Sequence, residues 1–337
     1  MRQRLKQSEW FALLAFSLLI NAPLIQAQNP EKPSAVAPLL HAYDYRLIDR
    51  HGQSLDLDTL VEQLLDYDVI FIGEFHGNNA SHLLQMQLQS ALYQKRPQQI
   101  LSLEMFNRDQ QAILNRYIDD EIGEKYLVNE APAWPNYTGS YRPMIEFAKA
   151  HFLPVIAANA SANIVRCIGQ IGEDYPQRLP PSERIWLAKQ PFLNDAAYEE
   201  KFTQLMKTMR SQPGDQIAKA YAAQLARDNT MAESILQGLK NHPNHQLLHL
   251  NGTFHSESHL GTVALLKARH PNLKVAVITP LQQENPQQPT WQASDLALGD
   301  YLYLLMPQPV EFRGAQYRLK LQKKRFENAK QKAQECQ

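Results

Sequence analysis

The feature that most constrains the fold is a run of four apolar residues, 69–72, that ends in glycine and is followed at once by two titratable side chains. A short apolar run bounded by glycine predicts a strand that is buried on both faces of a sheet. Gly73, Glu74 and His76 follow this run, and a helical pattern begins near residue 80. Polar residues at the carboxyl end of a buried strand lie where open α/β sheets keep their ligand sites. A single motif of this kind is more often a solvated strand end than a site.

The same alternation of apolar runs and helical patterns continues along the chain. It predicts an α/β fold with a mainly parallel sheet and helices on both faces. Residues 176–240 contain helical patterns but no strand pattern, which indicates an all-helical insertion over the carboxyl edge of the sheet. The strands are predicted at 69–72, 100–103, 154–158, 246–250, 274–278 and 301–305, and the helices near 58–65, 81–95, 107–118, 143–151, 161–171, 183–189, 196–209, 216–239 and 258–268.

The first residues have the pattern of a targeting segment. Arg2, Arg4 and Lys6 precede an apolar stretch, 10–20, that is short for a membrane span. This pattern predicts a signal peptide that is cleaved near Ala27, with a retained anchor as the alternative. No cysteine follows the apolar stretch, so the sequence does not predict a lipoprotein, and cleavage would leave a soluble exported protein in a bacterial periplasm. The predicted organisation is a signal peptide at 1–27, a leader with a weak hairpin at 28–57, an α/β domain at 58–308 and a basic tail at 309–337.

Charge and cysteine content narrow the function classes only a little. Lys plus Arg and Asp plus Glu both number 34, so no overall field favours nucleic acid or an anionic membrane. The tail beyond Pro309 is locally basic and could contact a membrane or a partner, but its thin apolar face favours a solvated terminal helix. Cys167 and Cys336 permit a disulfide in an exported protein, although the apolar pattern around Cys167 favours a plain buried residue.

The residues that follow parallel strands converge on one rim of the sheet, and here they include two Gly-x-x-His motifs. The motifs occupy 73–76 and 252–255, each directly after a predicted strand, where glycine lets the backbone turn sharply. The residues predicted to meet at this rim are Glu74, His76, Glu104, Asn159, Asn251 and His255.

These rim residues suit two kinds of chemistry. Two neutral imidazoles and a carboxylate could bind a divalent metal with one position left for water, which gives His76, His255 and Glu104 as candidate metal ligands. Equally, a glutamate could act as general base in a histidine-assisted hydrolysis without a metal. The residues alone leave both alternatives open.

Several short motifs, taken in order, resemble one known family. They are Gly73-Glu-Phe-His76, Leu103-Glu-Met-Phe106, Asp109-Gln110-Gln111, Trp134 with Tyr141 and Pro143, Pro154-Val-Ile-Ala-Ala-Asn159, Arg227-Asp-Asn-Thr-Met-Ala232 and Asn251-Gly-Thr-Phe-His255. Together they resemble the ChaN-like haem-binding uptake proteins, which belong to a superfamily that includes Tiki proteins and erythromycin esterase. The resemblance covers roughly residues 59–305.

The resemblance implies an exported protein of iron and haem acquisition that binds haem in a cleft at the carboxyl ends of the strands. It also implies a homodimer that depends on haem and an uptake partner that is not identified by the sequence. Enzymatic relatives use similar motifs for hydrolysis. By that carry-over Glu74, His76, Glu104, Arg227 and His255 would form the hydrolytic set of an esterase or peptidase, with a divalent metal as the alternative cofactor.

A haem site needs an axial ligand, apolar walls and cations for the propionates. A tyrosinate suits ferric iron, and Tyr137 and Tyr141 lie in a long irregular stretch, 119–142, near the mouth of the expected cleft. His76 or His255 could ligate iron instead, and the sequence does not decide between tyrosine and histidine. The residues that could form a wall on the helical insertion are Tyr198, Met206, Met209 and Tyr221.

Overall fold

The fold is built on one eight-stranded sheet with the order β2-β1-β8-β7-β3-β6-β4-β5. A computed structural model describes residues 36–132, 134–209, 214–333 and 336, so the predicted signal peptide lies outside the described residues. Strands β3 to β8 are parallel, and β1 is antiparallel to β2 and β8, which confirms the predicted mainly parallel α/β sheet. The strands are β1 (Tyr45–Asp49), β2 (Ser54–Leu55), β3 (Val69–Glu74), β4 (Gln99–Asn107), β5 (Val155–Asn159), β6 (Gln246–Gly252), β7 (Val275–Gln282) and β8 (Tyr301–Leu305).

Helices cover both faces of this sheet. The α-helices of the first half are α1 (Leu57–Leu64), α2 (Asn79–Lys95), α3 (Gln111–Ile118), α4 (Glu124–Glu130), α5 (Tyr137–Ser140), α6 (Arg142–Ala150) and α7 (Ala162–Ile171). Those of the second half are α8 (Pro181–Arg184), α9 (Ala196–Met209), α10 (Gly214–Asn241), α11 (Thr262–Arg269) and α12 (Ala315–Ala333). Short 3₁₀ turns occupy Arg108–Gln110, Tyr175–Arg178, Thr253–His255, Glu257–His259 and Asp295–Leu298.

The central strand β3 is buried on both faces, as its apolar run predicts. Alternate residues of a strand point to opposite faces. Accordingly, Ile70 and Ile72 pack into a core with α1, α2 and α6, while Val69 and Phe71 pack into a second core with α9, α10 and α11. Burial of these apolar side chains stabilises the sheet by about 25 cal/mol for each Å² of apolar surface that is removed from water.

The helical insertion lies on the second face and continues past the strand ends. Ala232 and Ile235 of α10 belong to the same core as Val69 and Phe71 of the sheet. Asp228, one turn earlier, contacts His255 just beyond the end of β6. Because β6 follows α10 with the opposite direction, the residues before Asp228 extend beyond the carboxyl edge of the sheet.

Several predicted element boundaries are wrong, and in place of the helix predicted at 183–189 the structure has the short α8 at Pro181–Arg184. Strand β7 continues through Pro280, which is paired in register with Tyr303 of β8. The pairing of β7 with β3 ends at Ile278, so the missing amide of proline removes no bond to β3. The stretch predicted to be irregular at 119–142 contains α4 and α5, and the helix predicted at 258–268 begins only at Thr262.

The two cysteines form a disulfide that joins α7 to the end of the chain. Cys167 and Cys336 are bonded, with 169 residues between them in sequence. The expectation that Cys167 is a plain buried residue is therefore wrong. The bond could not be read from the sequence because it depends on where the tail lies. The tail itself forms α12, in agreement with the predicted terminal helix.

Candidate functional site

The carboxyl ends of β3, β6 and β4 lie side by side and form one rim of the sheet. Strand β6 pairs with both neighbours, and its register sets Gly252 opposite Glu74 of β3. Glu104 lies in β4, where its Oε2 accepts a 2.6 Å hydrogen bond from the amide of Gly252. The structure therefore brings residues from three separate strands to the same place, and we call this place the rim.

Two asparagines fix the backbone around the rim. The amide of Asn159, at the end of β5, donates to the Glu104 carbonyl at 3.0 Å. The amide of Asn251 donates to the Ser256 hydroxyl at 2.9 Å. The Asn251 amide also donates to the Gly252 carbonyl at 2.8 Å, so both asparagines hold main-chain groups at the rim.

The two motif glycines allow the two motifs to approach each other. A Cβ added to Gly73 would lie 3.2 Å from the Cα of Thr253, and one added to Gly252 would lie 2.8 Å from Nε2 of His76. Both glycines have φ values outside the left-handed region. The predicted sharp turn is absent after Gly73, because β3 continues through Glu74, whereas a 3₁₀ turn does follow Gly252. In both motifs the absence of a Cβ leaves the space that the neighbouring segment needs.

The first histidine group consists of Glu74, His76, Gln85 and Tyr141. Oε1 of Glu74 accepts hydrogen bonds from Nδ1 of His76 at 2.8 Å and from the Tyr141 hydroxyl at 2.6 Å. Its Oε2 accepts from the amide of Gln85 at 2.7 Å. Glu74 is buried, whereas the His76 side chain is 41% exposed. Within the described residues Nε2 of His76 makes no hydrogen bond, so this nitrogen is free to meet a ligand.

Charges in the first group keep the carboxyl ionised. Burial would raise the pKa of Glu74, but the hydrogen bond from His76 and the charges of His82 and His76 hold that pKa below its ordinary value. Burial opposes protonation of His76, yet the hydrogen bond to Glu74 and the charge of Glu104 raise its pKa. Burial and the charge of Glu74 raise the pKa of Tyr141, so its phenol stays a donor. The carboxylate therefore orients His76 through Nδ1.

The second histidine group consists of Glu104, Asp228 and His255, all of them buried. Nδ1 of His255 lies 2.7 Å from Oδ1 of Asp228, and its Nε2 lies 3.3 Å from Oε1 of Glu104. Asp228 also accepts hydrogen bonds from the hydroxyls of Thr262 at 2.7 Å and Tyr198 at 2.9 Å. Both ring nitrogens of His255 are thus held by carboxylates.

This arrangement keeps His255 charged. Burial would lower its pKa, but the charges of Asp228 and Glu104 and their hydrogen bonds raise the pKa to about 10. Burial likewise opposes ionisation of Glu104, yet the charge and hydrogen bond of His255 lower the pKa of that carboxyl to about 2. The second group is therefore an imidazolium between two carboxylates, and His255 offers no lone pair to iron or to a substrate proton.

Arg227 adds a cation near the rim. Burial lowers its pKa, while the charges of Glu104 and Asp228 act in the opposite direction. The side chain is half-buried, and it makes no hydrogen bond or ion pair with any residue that the structure describes. Since both nearby carboxylates are already bound to His255, Arg227 can accept an anionic group of a ligand.

The structure places the candidate tyrosines inside the protein. Tyr141 is buried and bound to Glu74, and Tyr137 is buried with no hydrogen-bond partner for its hydroxyl among the residues that the structure describes. On the helical insertion, Tyr198 and Tyr221 are buried and Met206 is half-buried in the core beneath α10, while the Met209 side chain lies outside the description. A half-buried aromatic ring does reach the rim, because Trp134 lies 4.8 Å from the His76 ring, centroid to centroid.

The candidate metal set does not match this geometry. His76, His255 and Glu104 lie at one rim, but both nitrogens of His255 are occupied by carboxylates. Metal binding requires a deprotonated imidazole nitrogen. In the part of the chain that is described, no group of three or more His, Cys, Asp or Glu side chains is arranged to hold a metal ion.

Two residues of the site are absent from the sequence predictions, Asp228 and Gln85. Both could have been noticed by helical spacing. Asp228 lies on the buried face of α10 between Leu225 and Ala232, where a charged residue is unusual. Gln85 lies likewise on the buried face of α2. A polar residue on an apolar helix face is therefore the signal that was available.

A separate cavity of about 1230 Å³ lies along the edge strand β5 and contains none of the rim residues. The carboxamide of Gln111 occupies that edge. Its nitrogen donates to the Val155 carbonyl at 2.9 Å, and its oxygen accepts from the Ala157 amide at 2.7 Å. These are the main-chain groups that an added strand would use, so Gln111 closes the edge.

Comparison with known proteins identifies relatives of the chain. Residues 60–266 match the family described as haem-binding uptake, Tiki superfamily, ChaN. No curated protein matches the chain. In fold it is similar to ChaN of Campylobacter jejuni, a structure of cofacial haem binding, with 18% identity, 80% of this chain and 100% of that chain covered, and a TM-score of 0.57.

Two further solved structures match the chain with TM-scores under 0.5, so neither bears on its function. An erythromycin esterase mutant in its open conformation has 13% identity, with 82% of this chain and 86% of that chain covered and a TM-score of 0.42. A protein from Bacillus cereus has 11% identity, with 81% of this chain and 95% of that chain covered and a TM-score of 0.47. At these identities the similarity concerns the fold alone.

Proposed function

Because this chain belongs to the haem-binding uptake family of the Tiki superfamily, we propose that it binds haem in the cleft at the carboxyl ends of β3, β6 and β4. The observation that carries this proposal is the state of His76. Its ring is 41% exposed, Nδ1 is held by Glu74, and Nε2 has no partner among the described residues. A histidine that donates one nitrogen to a carboxylate has its other nitrogen oriented and made more basic for iron.

Exposure separates the four candidate axial ligands. Tyr137 and Tyr141 are buried, and Tyr141 would have to leave Glu74 to reach iron. His255 is held at both nitrogens and stays protonated at neutral pH because its pKa is raised to about 10. His76 alone of the four is exposed and has a ring nitrogen without a partner among the described residues, so His76 would hold the haem iron.

The other requirements of a haem site are also present at the rim. When bound, haem supplies an iron atom that takes a nitrogen or oxygen donor, and two propionates that need cations. Arg227 would hold a propionate, since its guanidinium has no carboxylate partner among the described residues. Trp134 and Phe75 are half-buried apolar side chains near His76 that would contact the porphyrin.

The proposal extends to iron and haem acquisition outside the cytoplasm. The basic and apolar pattern of residues 1–27 supports export and cleavage near Ala27, to give a periplasmic protein. The similarity to a ChaN structure with cofacial haem supports a homodimer that forms with haem and delivers it to an uptake partner. Cell fractionation, and sedimentation with and without hemin, test these two points.

Titration of the mature protein with hemin tests the proposal directly. A shifted Soret band that saturates is expected for the wild type, for Tyr137→Phe and for Tyr141→Phe, and a strongly weakened band for His76→Ala. His270→Ala is the matched control, because His270 is exposed at the end of α11, before β7 begins. A spectrum that remains that of free hemin with the wild type would overturn the proposal. Loss of the band with Tyr141→Phe instead would move the ligand to tyrosine.

The hydrogen bond between Glu74 and His76 also favours a second function, which is hydrolysis. Nδ1 of His76 is held by Glu74, so Nε2 could act as a general base in hydrolysis, with Glu104 and Arg227 near the reacting group. Turnover of ester and peptide substrates by the protein without hemin, abolished by His76→Ala and retained by His270→Ala, would support a hydrolase. Saturable hemin binding without any turnover supports the binding protein.

A further inference from the structure

The first half of helix α12 exposes cations and apolar side chains together. Residues 313–324 contain Arg313, Arg318, Lys320, Lys323 and Lys324 and no acidic residue. All five cations are exposed, and none of them is in an ion pair among the described residues. The segment thus carries five net positive charges, with Glu311 before it and Glu327 one turn after Lys323 as the nearest acidic residues in sequence.

Apolar side chains at the same end of α12 are also left exposed. Val310, Tyr317 and Leu319 are 68%, 66% and 59% exposed. The Phe312 ring lies 5.9 Å from the Tyr317 ring, centroid to centroid, so the apolar groups adjoin one another. Water is an unfavourable environment for such groups, and exposed apolar side chains rimmed by charge are typical of an interaction surface.

The positions of the cations argue for a flat anionic surface. At 3.6 residues per turn, Lys320, Lys323 and Lys324 lie within an arc of about 100° with Tyr317 at its border. Arg318 lies on the opposite side of the helix from Lys320, so the three lysines alone form the charged face. An anionic lipid surface accepts this combination, because headgroup phosphates attract lysines while the interface accepts tyrosine and the lysine stems.

The far end of α12 is fixed to the protein. The helix packs against α7, and Cys336 beyond it is bonded to Cys167 of α7. None of the helices in the described part of the chain is long and apolar enough to cross a membrane. We propose that the exposed segment 313–324, which consists of the first half of α12 and the two residues before it, docks the protein onto an anionic lipid surface together with Val310.

Sedimentation with lipid vesicles tests this proposal on the mature protein, which lacks the basic and apolar residues 1–27. Vesicles of phosphatidylcholine are compared with vesicles that also contain phosphatidylglycerol. The protein is expected to sediment only with the anionic vesicles, and to be released in about 1 M salt, where the Debye length is about 3 Å. Lys320→Glu/Lys323→Glu/Lys324→Glu is expected to weaken binding more than about tenfold, because each cation near an anionic surface contributes to binding.

A scattered triple variant provides the matched control. Lys125, Lys207 and Lys240 are exposed on α4, α9 and α10, and changing them to glutamate gives the same net charge without touching α12. This control should bind anionic vesicles as well as the wild type. Tyr317→Ser should weaken binding without changing its salt dependence.

Three results would overturn the proposal. They are equal binding to neutral vesicles, equal loss in both triple variants, and a wild type that stays in the supernatant with both kinds of vesicle, as expected if the tail binds a soluble acidic partner. Hemin binding by the same variants is measured as a separate property of the rim, so the two proposals fail independently.

Discussion

Two histidines follow adjacent parallel strands with the same Gly-x-x-His spacing, yet their surroundings are opposite. His76 is 41% exposed and held at one nitrogen by Glu74. His255 is buried and held at both nitrogens by Asp228 and Glu104. The number of carboxylates around each ring decides its role. One carboxylate orients an imidazole toward a ligand, whereas two carboxylates lock it as a buried cation that stabilises the rim.

Asp228→Asn should produce the largest effect, because it removes the charge beneath His255. The change leaves a buried imidazolium with one carboxylate and disturbs the bonds from Thr262 and Tyr198. Breaking a buried ion pair costs about 3–5 kcal/mol. Urea unfolding measures this cost, with Asp215→Asn, at an exposed position on the same helix, as the control. Stability within about 1 kcal/mol of the wild type would contradict a locked second group.

The second-largest effect is expected in the pH dependence of the unfolding free energy, which should distinguish His255 from His76. The pKa of His255 is about 10 in the folded protein and about 6.5 in the unfolded chain, so its stabilisation is complete below pH ~6.5 and is lost as the pH rises toward 10. The unfolding free energy should fall by about 2 kcal/mol or more over this range, and His255→Gln should flatten the fall. A wild-type profile that is already flat would show that His255 is not held as a cation.

Buried His249 provides a contrast of opposite sign. Burial lowers the pKa of His249 to about 3, so it stays neutral and its contribution is lost as the pH falls from about 6.5 to 3. The alkaline limb of the stability profile therefore reports on His255 and not on this residue.

His76→Ala should separate ligand binding from stability. Since the His76 ring is partly exposed and bound to one side chain, its loss should change the unfolding free energy by less than about 1 kcal/mol. Hemin affinity should fall at least about tenfold, equivalent to about 1.4 kcal/mol. Hemin titration and urea unfolding on the same sample check both parts. If His76→Ala had a much lower unfolding free energy than the wild type but an unchanged hemin affinity, His76 would stabilise the fold and would not bind the ligand.

Gly252→Ala should have the smallest effect and should act on His76 through space. The added Cβ would lie 2.8 Å from Nε2 of His76, so the ring must move away from its position over β6. Hemin affinity should fall a few-fold, with a stability change below about 1 kcal/mol. Gly314→Ala, where an added Cβ meets nothing within 4 Å, is the control. Equal hemin affinity in Gly252→Ala and Gly314→Ala would contradict the inference that a side chain at position 252 displaces His76.

The sequence predicted the parts of this structure that depend on local pattern. The apolar run at 69–72 and the following Glu74 and His76 lie where an alternating strand and helix pattern places them. The sequence predicts that the strand stops before Pro280, because proline has no amide hydrogen to donate. The strand continues because β7 has no pairing with β3 beyond Ile278, which only the fold reveals. The Cys167–Cys336 bond was missed because it joins segments 169 residues apart.

The different states of His76 and His255 were likewise beyond the sequence. Both follow glycine in the same spacing, and only the fold brings Asp228 from α10 to His255. Asp228 follows Arg227 in one of the motifs that resemble the family. Its position on the apolar face of α10 indicates a buried charge that needs a partner. Burial and the number of charged neighbours, which set each pKa, are tertiary properties.

The contrast between the two histidines is tested most directly by following their ring signals by NMR as the pH is raised, with His76→Ala and His255→Gln to assign them. The account predicts that His255 stays an imidazolium through neutral pH and loses its proton only near pH 10, while the hydrogen bond to Glu74 raises the pKa of His76 above its ordinary value. Loss of the His255 proton near the ordinary histidine value of about 6.5 would contradict the account.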